Sequence, residues 1–167
     1  MKQKAIFLDR DGVLNHELND YICKVDDFEV LTYQIPPLKR LYDEGYLLIV
    51  ITNQGGIAQS RYTEEILAEM HQILFSTYEA SGAKFTHAYH CPHHPTVSEP
   101  CECRKPLPGM IKEAIAAYDI DPSLSVMIGD KPRDVEAANA AGVRGILIAP
   151  DEQIDYDKVK AVLAEEF

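Results

Sequence analysis

Five short apolar runs separated by longer amphipathic segments constrain the fold of this chain more than any other feature. The runs are rich in Ile, Val, Leu, Phe and Tyr, and glycines such as Gly45 and Gly142 close the helical segments between them. Strands that alternate with helices form a parallel sheet covered on both faces. We therefore predict an α/β fold with a three-layer, doubly wound, mostly parallel sheet. Strands are expected at residues 4–9, 46–52, 84–89, 125–129 and 144–148, and helices at 35–44, 63–81, 108–119, 133–141 and 154–165.

Composition bounds the size of the protein and its partners. The chain has 167 residues, 46% of them hydrophobic, which suits one domain over residues 1–167 with its own core. A formal net charge of -11 argues against nucleic-acid and anionic-membrane partners, because both bind basic surfaces. No apolar run approaches the roughly 20 residues that cross a bilayer, and the first residues lack a signal-peptide pattern. We expect a cytoplasmic monomer.

The first apolar run ends in two aspartates, Asp9 and Asp11, spaced two residues apart. Side chains at this spacing on a strand share a face, so both carboxylates would converge at its carboxyl end. Two like charges there call for a cation between them, most simply Mg²⁺. The pair therefore predicts a magnesium site at which a reaction takes place.

Three further segments carry candidate chemistry, and each also has an ordinary interpretation. The turn at residues 52–55, Thr-Asn-Gln-Gly, suits a phosphate oxygen but also suits a plain strand end. The pair Arg104-Lys105 precedes a proline that keeps both cations on a loop, although such pairs are often only solvated surface. Asp130 ends the fourth run and Asp134 follows in the first turn of a helix, where an acidic residue is favoured in any case. Because ligands of open α/β sheets bind beyond the carboxyl ends of the strands, these groups would meet there.

Taken in this order, Asp9-x-Asp11, Thr52, Lys105 and Gly129-Asp130-x-x-x-Asp134 resemble the four motifs of the haloacid-dehalogenase-like (HAD-like) phosphohydrolases. The resemblance implies phosphomonoester hydrolysis through an aspartyl-phosphate on Asp9, with Asp11 as the acid and base. It implies Mg²⁺ on the carboxylates of Asp9 and Asp130 and the backbone carbonyl of Asp11. Thr52 and Lys105 would hold the phosphoryl oxygens, and Asp134 would orient Lys105 or a metal-bound water.

The segment 90–104 contains a second candidate metal site. It holds His90, His93 and His94, and three of the four cysteines of the chain. A set of three thiolates and one imidazole favours structural zinc, although reduced cysteines without a metal are an alternative. His94 is an alternative to His93, and His90 is expected to be a loop or core histidine. The predicted zinc ligands are Cys91, His93, Cys101 and Cys103.

Within that family, Cys-Pro-His-His-Pro at 91–95, Cys-x-Cys-Arg-Lys-Pro-x-Pro-Gly-Met at 101–110 and Gly-Asp-Lys-x-x-Asp at 129–134 resemble the heptose bisphosphate phosphatase branch. The resemblance implies removal of the 7-phosphate of D-glycero-D-manno-heptose 1,7-bisphosphate, for lipopolysaccharide core or S-layer glycans, by an enzyme with Mg²⁺, structural zinc and no large cap domain. Histidinol-phosphate phosphatase or a broader sugar phosphatase is the alternative, and a zinc-stabilised binding module without turnover is a remote one. The implied substrate contacts are Glu17, Asn19, Asp20, Asn53, Gln54, Gly55, Arg104 and Lys131, with Arg104 on the phosphate that is not cleaved.

Two departures from the pattern of that branch bear on the substrate. Where the branch commonly carries arginine, this chain has Gln59, and a cation returns only at Arg61. The segment between Asp11 and Tyr21 is about one residue longer than usual in that resemblance. We therefore expect the reaction to be retained, with the selectivity for the substrate either loosened or its phosphate anchor displaced by two positions to Arg61.

Overall fold

The computed structural model describes residues 1–166. Its centre is a five-stranded sheet in the order β3-β2-β1-β4-β5, and every strand pair is parallel. The predicted α/β, doubly wound sheet is confirmed, and it is wholly rather than mostly parallel. The strands are β1 Lys4–Leu8, β2 Tyr46–Asn53, β3 Phe85–Cys91, β4 Val126–Gly129 and β5 Arg144–Leu147.

Helices cover both faces of the sheet because alternate strand residues point in opposite directions. They are α1 Ile35–Asp43, α2 Glu64–Glu79, α3 Gly109–Ala117, α4 Pro132–Ala140 and α5 Tyr156–Ala164. Ile6 and Leu8 of β1 belong to a core cluster with apolar residues of α1, α2 and α5. Their neighbours Ala5 and Phe7 belong to a second cluster with residues of α3 and α4. The three-layer prediction is therefore confirmed.

Local chemistry explains where several elements begin and end. The Thr63 side chain accepts a hydrogen bond of 3.2 Å from the Ile66 amide and caps the start of α2, as the sequence predicts. Gly45, directly before β2, has φ +91°, which glycine adopts without strain. Strand β3 runs two residues beyond its predicted end, because His90 and Cys91 still pair with Thr52 and Asn53 of β2. The irregular loop 92–108 follows.

The strand order places a topological switch point between β1 and β4. The chain moves from β1 outward to β2 and β3, then crosses to β4 and β5 on the other side. Connections after β1 and β4 therefore leave in opposite directions and open a crevice at the carboxyl ends of these strands. The Asp9 amide donates to the carbonyl of Ile128 at 3.0 Å, which brings Asp9 beside the end of β4. Within residues 1–166, no helix is long and apolar enough to cross a membrane.

Candidate active site

A buried cluster of charges lies at this crevice, centred on the ammonium of Lys105. The Nζ atom is 2.9 Å from Asp9 Oδ1, 2.7 Å from Asp134 Oδ1 and 2.7 Å from the carbonyl oxygen of Ile51. Lys105 lies on the loop after β3, and Asn53 at the end of β2 holds its backbone. The Asn53 amide accepts from Lys105 N–H at 2.9 Å and donates to its carbonyl at 3.0 Å. Two strand ends thus fix the lysine between two carboxylates.

The carboxylate of Asp130 completes the acidic side of the cluster. Both of its oxygens are buried without a hydrogen-bond donor among the described residues, and Lys131 Nζ is 3.5 Å from Oδ2. A Cβ atom at Gly12 would lie 2.2 Å from the same Oδ2, so only glycine leaves room for this carboxylate. One carboxylate oxygen from each of Asp9, Asp130 and Asp134 lies within 4.8 Å of the others. Carboxylates at this spacing, with both oxygens of Asp130 lacking a donor, fit Mg²⁺.

The electrostatics of the cluster explain why a further cation is needed. Burial raises the pKa of Asp9 well above its ordinary value, and although Lys105 opposes this, Asp134, Asp130 and Asp11 raise it further. Burial lowers the pKa of Lys105, but Asp9 and Asp134 outweigh burial and leave it raised. Lys105 is thus stabilised as a cation, while burial and the neighbouring carboxylates disfavour the ionised form of Asp9, which calls for more positive charge. A divalent cation between Asp9 and Asp130 would supply it.

Asp11, the second aspartate of the first motif, is held by three side chains. Its Oδ1 accepts from Arg10 Nη2 at 2.8 Å, Arg10 Nε at 3.1 Å and Asn15 Nδ2 at 2.9 Å. Burial raises the pKa of Asp11, but the Arg10 charge and the hydrogen bonds from Asn15, Arg10 and Gln54 leave it lowered. Arg10 is fully buried, with its guanidinium 5.1 Å from the Phe28 ring centroid. Arg10 was not predicted at the site, because arginine is expected at the surface, and Asn15 was not predicted either.

Thr52 and Gln54 form a buried polar group behind the aspartates. Gln54 Nε2 donates to Thr52 Oγ1 at 2.9 Å and to Asp11 Oδ2 at 3.3 Å. The hydroxyl of Tyr62 donates to Gln54 Oε1, and both residues are buried. In this structure the Gln54 amide therefore holds site side chains in place. Tyr62 was not predicted, and nothing in its local sequence distinguishes it from a core tyrosine.

A cavity of about 300 Å³ opens above the carboxylates. This volume lies at the lower end of the range of small-molecule sites. Predicted residues in its lining carry five carboxylates but only one cation, so an anionic ligand needs additional positive charge. Tyr21 and Arg133 also line it and were not predicted. The lining comprises Asp9, Asp11, Glu17, Asn19, Asp20, Tyr21, Asn53, Asp130, Lys131 and Arg133.

Arg104 and Gly55, two other predicted contacts, lie outside that lining. Arg104 lines a second cavity of about 380 Å³ together with His94 and Pro95 of the loop 92–108. Its Nη1 donates to the carbonyl of His93 at 3.0 Å. A Cβ atom at Gly55 would lie 3.0 Å from that same Nη1 and 3.0 Å from the His93 carbonyl. Gly55 thus gives Arg104 room to approach the loop.

The four predicted zinc ligands converge on one point. The Sγ atom of Cys91 is 3.8 Å from that of Cys101 and 2.8 Å from that of Cys103. His93 Nδ1 is 3.4 Å from Cys91 Sγ and 3.3 Å from Cys103 Sγ. Tetrahedral zinc with Zn–S bonds of about 2.3 Å separates its sulfurs by about 3.8 Å, so three of these four distances fit and one is short. All three cysteines are free thiols.

The other histidines of the loop face elsewhere. His94 Nδ1 lies 2.8 Å from Thr96 Oγ1, and His90 Nε2 lies 2.7 Å from Glu64 Oε2. The structure therefore places His93, rather than His94, in the cysteine cluster. Burial, followed by the neighbouring Cys91 and Cys101 thiols, raises the pKa of Cys103. Crowded thiols of this kind fit a cation that stabilises them as thiolates.

Comparisons with known proteins agree with this geometry. A family model described as HAD-hydrolase-like matches residues 102–159. D-glycero-alpha-D-manno-heptose-1,7-bisphosphate 7-phosphatase of Photorhabdus laumondii is 42% identical over 151 residues, covering 85% of this chain and 80% of that protein. D-glycero-beta-D-manno-heptose-1,7-bisphosphate 7-phosphatase of Haemophilus ducreyi is 41% identical over 149 residues, covering 86% of this chain and 81% of that protein.

A solved structure agrees as well. The crystal structure of D,D-heptose 1,7-bisphosphate phosphatase from B. bronchiseptica, complexed with magnesium and phosphate, has a TM-score of 0.82 and 29% identity, covering 96% of this chain and 86% of that one. The parallel sheet with carboxylates at its switch point thus defines a phosphatase of the HAD-like hydrolase class. More narrowly, the chain belongs to the family of the D-glycero-D-manno-heptose-1,7-bisphosphate 7-phosphatases.

Proposed function

We propose that this chain removes the 7-phosphate of D-glycero-D-manno-heptose 1,7-bisphosphate, acting as one cytoplasmic domain with a zinc-stabilised loop. The observation that carries the proposal is the buried Asp9 carboxylate, paired with Lys105 at 2.9 Å and lying at the base of the 300 Å³ cavity. The names of the relatives supply the substrate. Because these names specify both alpha and beta anomers, the proposal extends to the bisphosphate without a choice of anomer.

Asp9 is proposed as the nucleophile. Its Oδ1 accepts from Lys105 Nζ and, at 2.8 Å, from the Arg10 amide, whereas Oδ2 has no donor among the described residues. An oxygen of Asp9 attacks the phosphorus, and the bond between phosphorus and the sugar oxygen breaks. Lys105 and Thr52 hold the phosphoryl oxygens as charge shifts toward the leaving group. The products of this step are the aspartyl-phosphate and the sugar alcohol.

Asp11 is proposed as the acid and base. It gives its proton to the departing sugar oxygen, then takes a proton from the water that attacks the phosphorus of the aspartyl-phosphate. The bond between phosphorus and the Asp9 oxygen then breaks, which releases phosphate and restores the Asp9 carboxylate. Arg10 holds the pKa of Asp11 low in the free chain, so the acid role needs an opposing influence. The negative charge of the arriving phosphate provides it, because a like charge nearby raises the pKa of a carboxyl group.

Asp9, Asp130 and the backbone carbonyl of Asp11 are proposed to hold Mg²⁺. When bound, the metal neutralises the carboxylates and polarises the phosphoryl group. Asp134 is proposed as a positioning residue: its Oδ1 lies 2.7 Å from Lys105 Nζ and its Oδ2 accepts from Lys131 N–H at 3.0 Å. A Cβ atom at Gly129 would lie 2.3 Å from Asp134 Oδ2, so glycine is required for this contact.

The remaining predicted contacts divide between the sugar and the site itself. We propose that cavity-lining Glu17, Asn19, Asp20 and Lys131 face the sugar. Asn53 lines the cavity as well as holding Lys105. We also propose substrate contacts from Gln54, Gly55 and Arg104. In the described structure, Gln54 donates to Asp11, Gly55 lies against Arg104, and Arg104 donates to the His93 carbonyl. Zinc on Cys91, His93, Cys101 and Cys103 is proposed to fix the loop that carries Arg104 and Lys105.

Phosphate release with Mg²⁺ tests the proposal. The purified chain should release phosphate from the 1,7-bisphosphate and leave the 1-phosphate, as read by phosphorus NMR, with a larger kcat/KM than on histidinol phosphate. Asp9→Asn should lower kcat by about 10⁴-fold or more, because it removes the nucleophile. Asp43→Asn, a change in an exposed carboxylate on α1 paired with Lys39, is the matched control and should leave kcat unchanged. Absence of turnover on the bisphosphate would refute the substrate, and faster turnover of histidinol phosphate would favour that alternative.

A further inference from the structure

The loop on one side of the catalytic cavity carries a carboxylate in an unfavourable place. Glu17 lines the cavity, and its side chain is only 13% exposed. Burial raises the pKa of Glu17, although the Asn19 amide opposes this. Asp11 and Asp130 raise it further, and Lys131 opposes them. Because these surroundings disfavour its charge, the backbone of the loop must hold Glu17 in place.

Asp151, which follows β5, holds this part of the loop. Its Oδ1 accepts from the Glu17 amide at 2.9 Å, and its Oδ2 contacts the Nδ1 atom of His16. Its own amide donates to the carbonyl of Gly12 at 2.9 Å, and the hydroxyl of Tyr33 donates to its carbonyl. One residue thus joins the loop to the turn at Gly12.

The backbone of Asp151 is strained, and its side chain explains why the strain is retained. Its φ is +63°, in the left-handed region that strains residues with a Cβ atom but not glycine. Glycine would therefore be the unstrained residue at this position. Glycine lacks the oxygens that contact His16 and Glu17, whereas aspartate has them and is among the few residues that tolerate this conformation. The strain thus accompanies the placement of a loop that lines the cavity.

The far end of the loop has its own attachment. Both carboxylate oxygens of Asp20 accept from Arg61, at 3.0 and 3.3 Å. The side chain of Glu17 is fixed more locally, since its Oε1 accepts from the Asn19 amide at 2.9 Å. Loss of the Asp151 carboxylate therefore releases the Glu17 amide and leaves the Asp20 end attached.

We propose that Asp151 is a positioning residue that holds Glu17 in the cavity, where the Glu17 carboxylate accepts hydrogen bonds from hydroxyl groups of the sugar. The inference rests on the proposed function, in which Glu17 faces the sugar. A carboxylate repels phosphate but offers two acceptor oxygens to hydroxyl donors, so the chemistry of Glu17 suits the hydroxyl-bearing part of the substrate. Asp151 uses both of its carboxylate oxygens on His16 and Glu17, so it acts on the substrate through Glu17.

Kinetics of Asp151→Gly on two substrates test this role. Glycine removes the carboxylate and adopts the same φ without strain. For the heptose 1,7-bisphosphate, KM should rise about 5- to 50-fold while kcat stays within about twofold, because the contact to the sugar is made equally in the ground state and the transition state. For phenyl phosphate, which carries no sugar hydroxyls, KM should stay within about twofold. Asp151→Asn keeps an acceptor oxygen for the Glu17 amide and tolerates the left-handed backbone, so it should recover most of the lost affinity.

Asp119→Gly is the matched control. Asp119 also has a left-handed backbone, with φ +49°, and it is exposed. Its carbonyl accepts from the amide of Gln3, directly before β1, so it lies at the amino ends of the strands, opposite the cavity. Both changes to glycine relieve strain and add freedom to the unfolded chain. Asp119→Gly should leave the kinetics on both substrates unchanged, and its comparison with Asp151→Gly isolates the effect of the Asp151 carboxylate.

A double variant separates positioning of Glu17 from a general disturbance of the site. Glu17→Ala alone should raise KM for the bisphosphate by about 10- to 100-fold, because it removes hydrogen bonds to a charged group. If Asp151 acts through Glu17, then adding Asp151→Gly to Glu17→Ala raises KM no further.

The outcomes distinguish this inference from the proposed function. Equal losses on both substrates, a KM for Asp151→Gly no higher than that for Asp119→Gly, or additive losses in the double variant would each overturn the role of Asp151. Failure of Asp151→Asn to recover affinity would overturn it as well. In all of these cases hydrolysis of the bisphosphate by the parent enzyme still stands. A parent enzyme inactive on the bisphosphate would overturn both the proposed function and this inference.

Discussion

Replacement of Lys105 by methionine tests the buried charge cluster directly. Methionine has a similar length and fills the space, but it leaves Asp9 and Asp134 without their shared cation. In the parent, the side chains of Lys105 and Asp9 are only 1% and 9% exposed. Removing one partner of a buried ion pair costs about 3–5 kcal/mol, because the remaining charge stays desolvated. We expect Lys105→Met to lower the free energy of unfolding by that amount in Mg²⁺-free buffer near neutral pH, with the proposed zinc site left intact.

Lys39 and Asp43 on α1 provide the matched comparison. Their charged atoms are 2.6 Å apart, as close as those of the buried pairs, but the side chains are 37% and 55% exposed. Exposed pairs at this spacing on a helix contribute about 0.3–0.5 kcal/mol. Lys39→Met should therefore change stability by less than about 1 kcal/mol. The difference in unfolding free energy between the two variants therefore measures the effect of burying the ion pair, rather than the effect of losing a lysine.

The dependence of folding stability on pH provides a second, independent test of this prediction. Without Lys105, the pKa of Asp9 in the folded chain rises further above its unfolded value of about 3.9, so the folded state holds a proton more tightly. The variant therefore loses stability as the pH rises from the unfolded pKa toward the folded one, and its deficit is smaller in mild acid. In the parent, the raised pKa of Lys105 gives stability that is present below about pH 10 and is lost only as the pH rises through the folded value.

Urea unfolding of the three proteins, followed by circular dichroism without added Mg²⁺ or chelator at several pH values between about 5 and 8, measures both effects. Equal m-values are required for the comparison. A deficit for Lys105→Met under about 1 kcal/mol throughout, or one that does not shrink toward acid, would refute the view of Lys105 as a buried cation compensating two carboxylates.

Two further predictions concern the metals. Mg²⁺ should raise the Tm of the parent, because it binds only the folded site, and Asp130→Asn should abolish that rise; an equal rise in both would contradict the ligand set. Cys101→Ser should lower the zinc content found by elemental analysis and lower the Tm, with Cys23→Ser as the control in a cysteine outside the cluster. Equal zinc in parent and Cys101→Ser would exclude the proposed zinc site.

Most of the fold follows from local pattern. The five apolar runs and the helical segments between them match the observed elements, with differences confined to their ends. The end of β3 shows why these differences arise. His90 is not an apolar residue of the kind expected in a buried strand, yet His90 and Cys91 both pair with the end of β2. The sequence predicts that β2 is a neighbour but does not give the alignment of the two strands. Sequence pattern identifies an element, whereas its last residues depend on the neighbouring strand.

The residues of the candidate site also fall into a group that the sequence predicts and a group that it does not. Residues at strand ends, such as Asp9 and Asp130, were predictable because parallel strands bring their carboxyl ends together. The residues that hold these aspartates in place were not predictable. Arg10 is buried because Asp11 and Phe28 receive its guanidinium, and Tyr62 reaches Gln54 from a turn before α2. These contacts depend on packing between segments, which spacing along one segment does not encode.

The charges of the cavity explain how an acidic site can bind an anionic substrate. Five carboxylates line it, and the charge of Lys105 below it is already shared between Asp9 and Asp134. A phosphate at the base is therefore favoured only together with a divalent cation, and by reciprocity each raises the affinity for the other. Because Asp9 and Asp130 lie at the buried end of the cavity, this coupling acts on the phosphate that reacts.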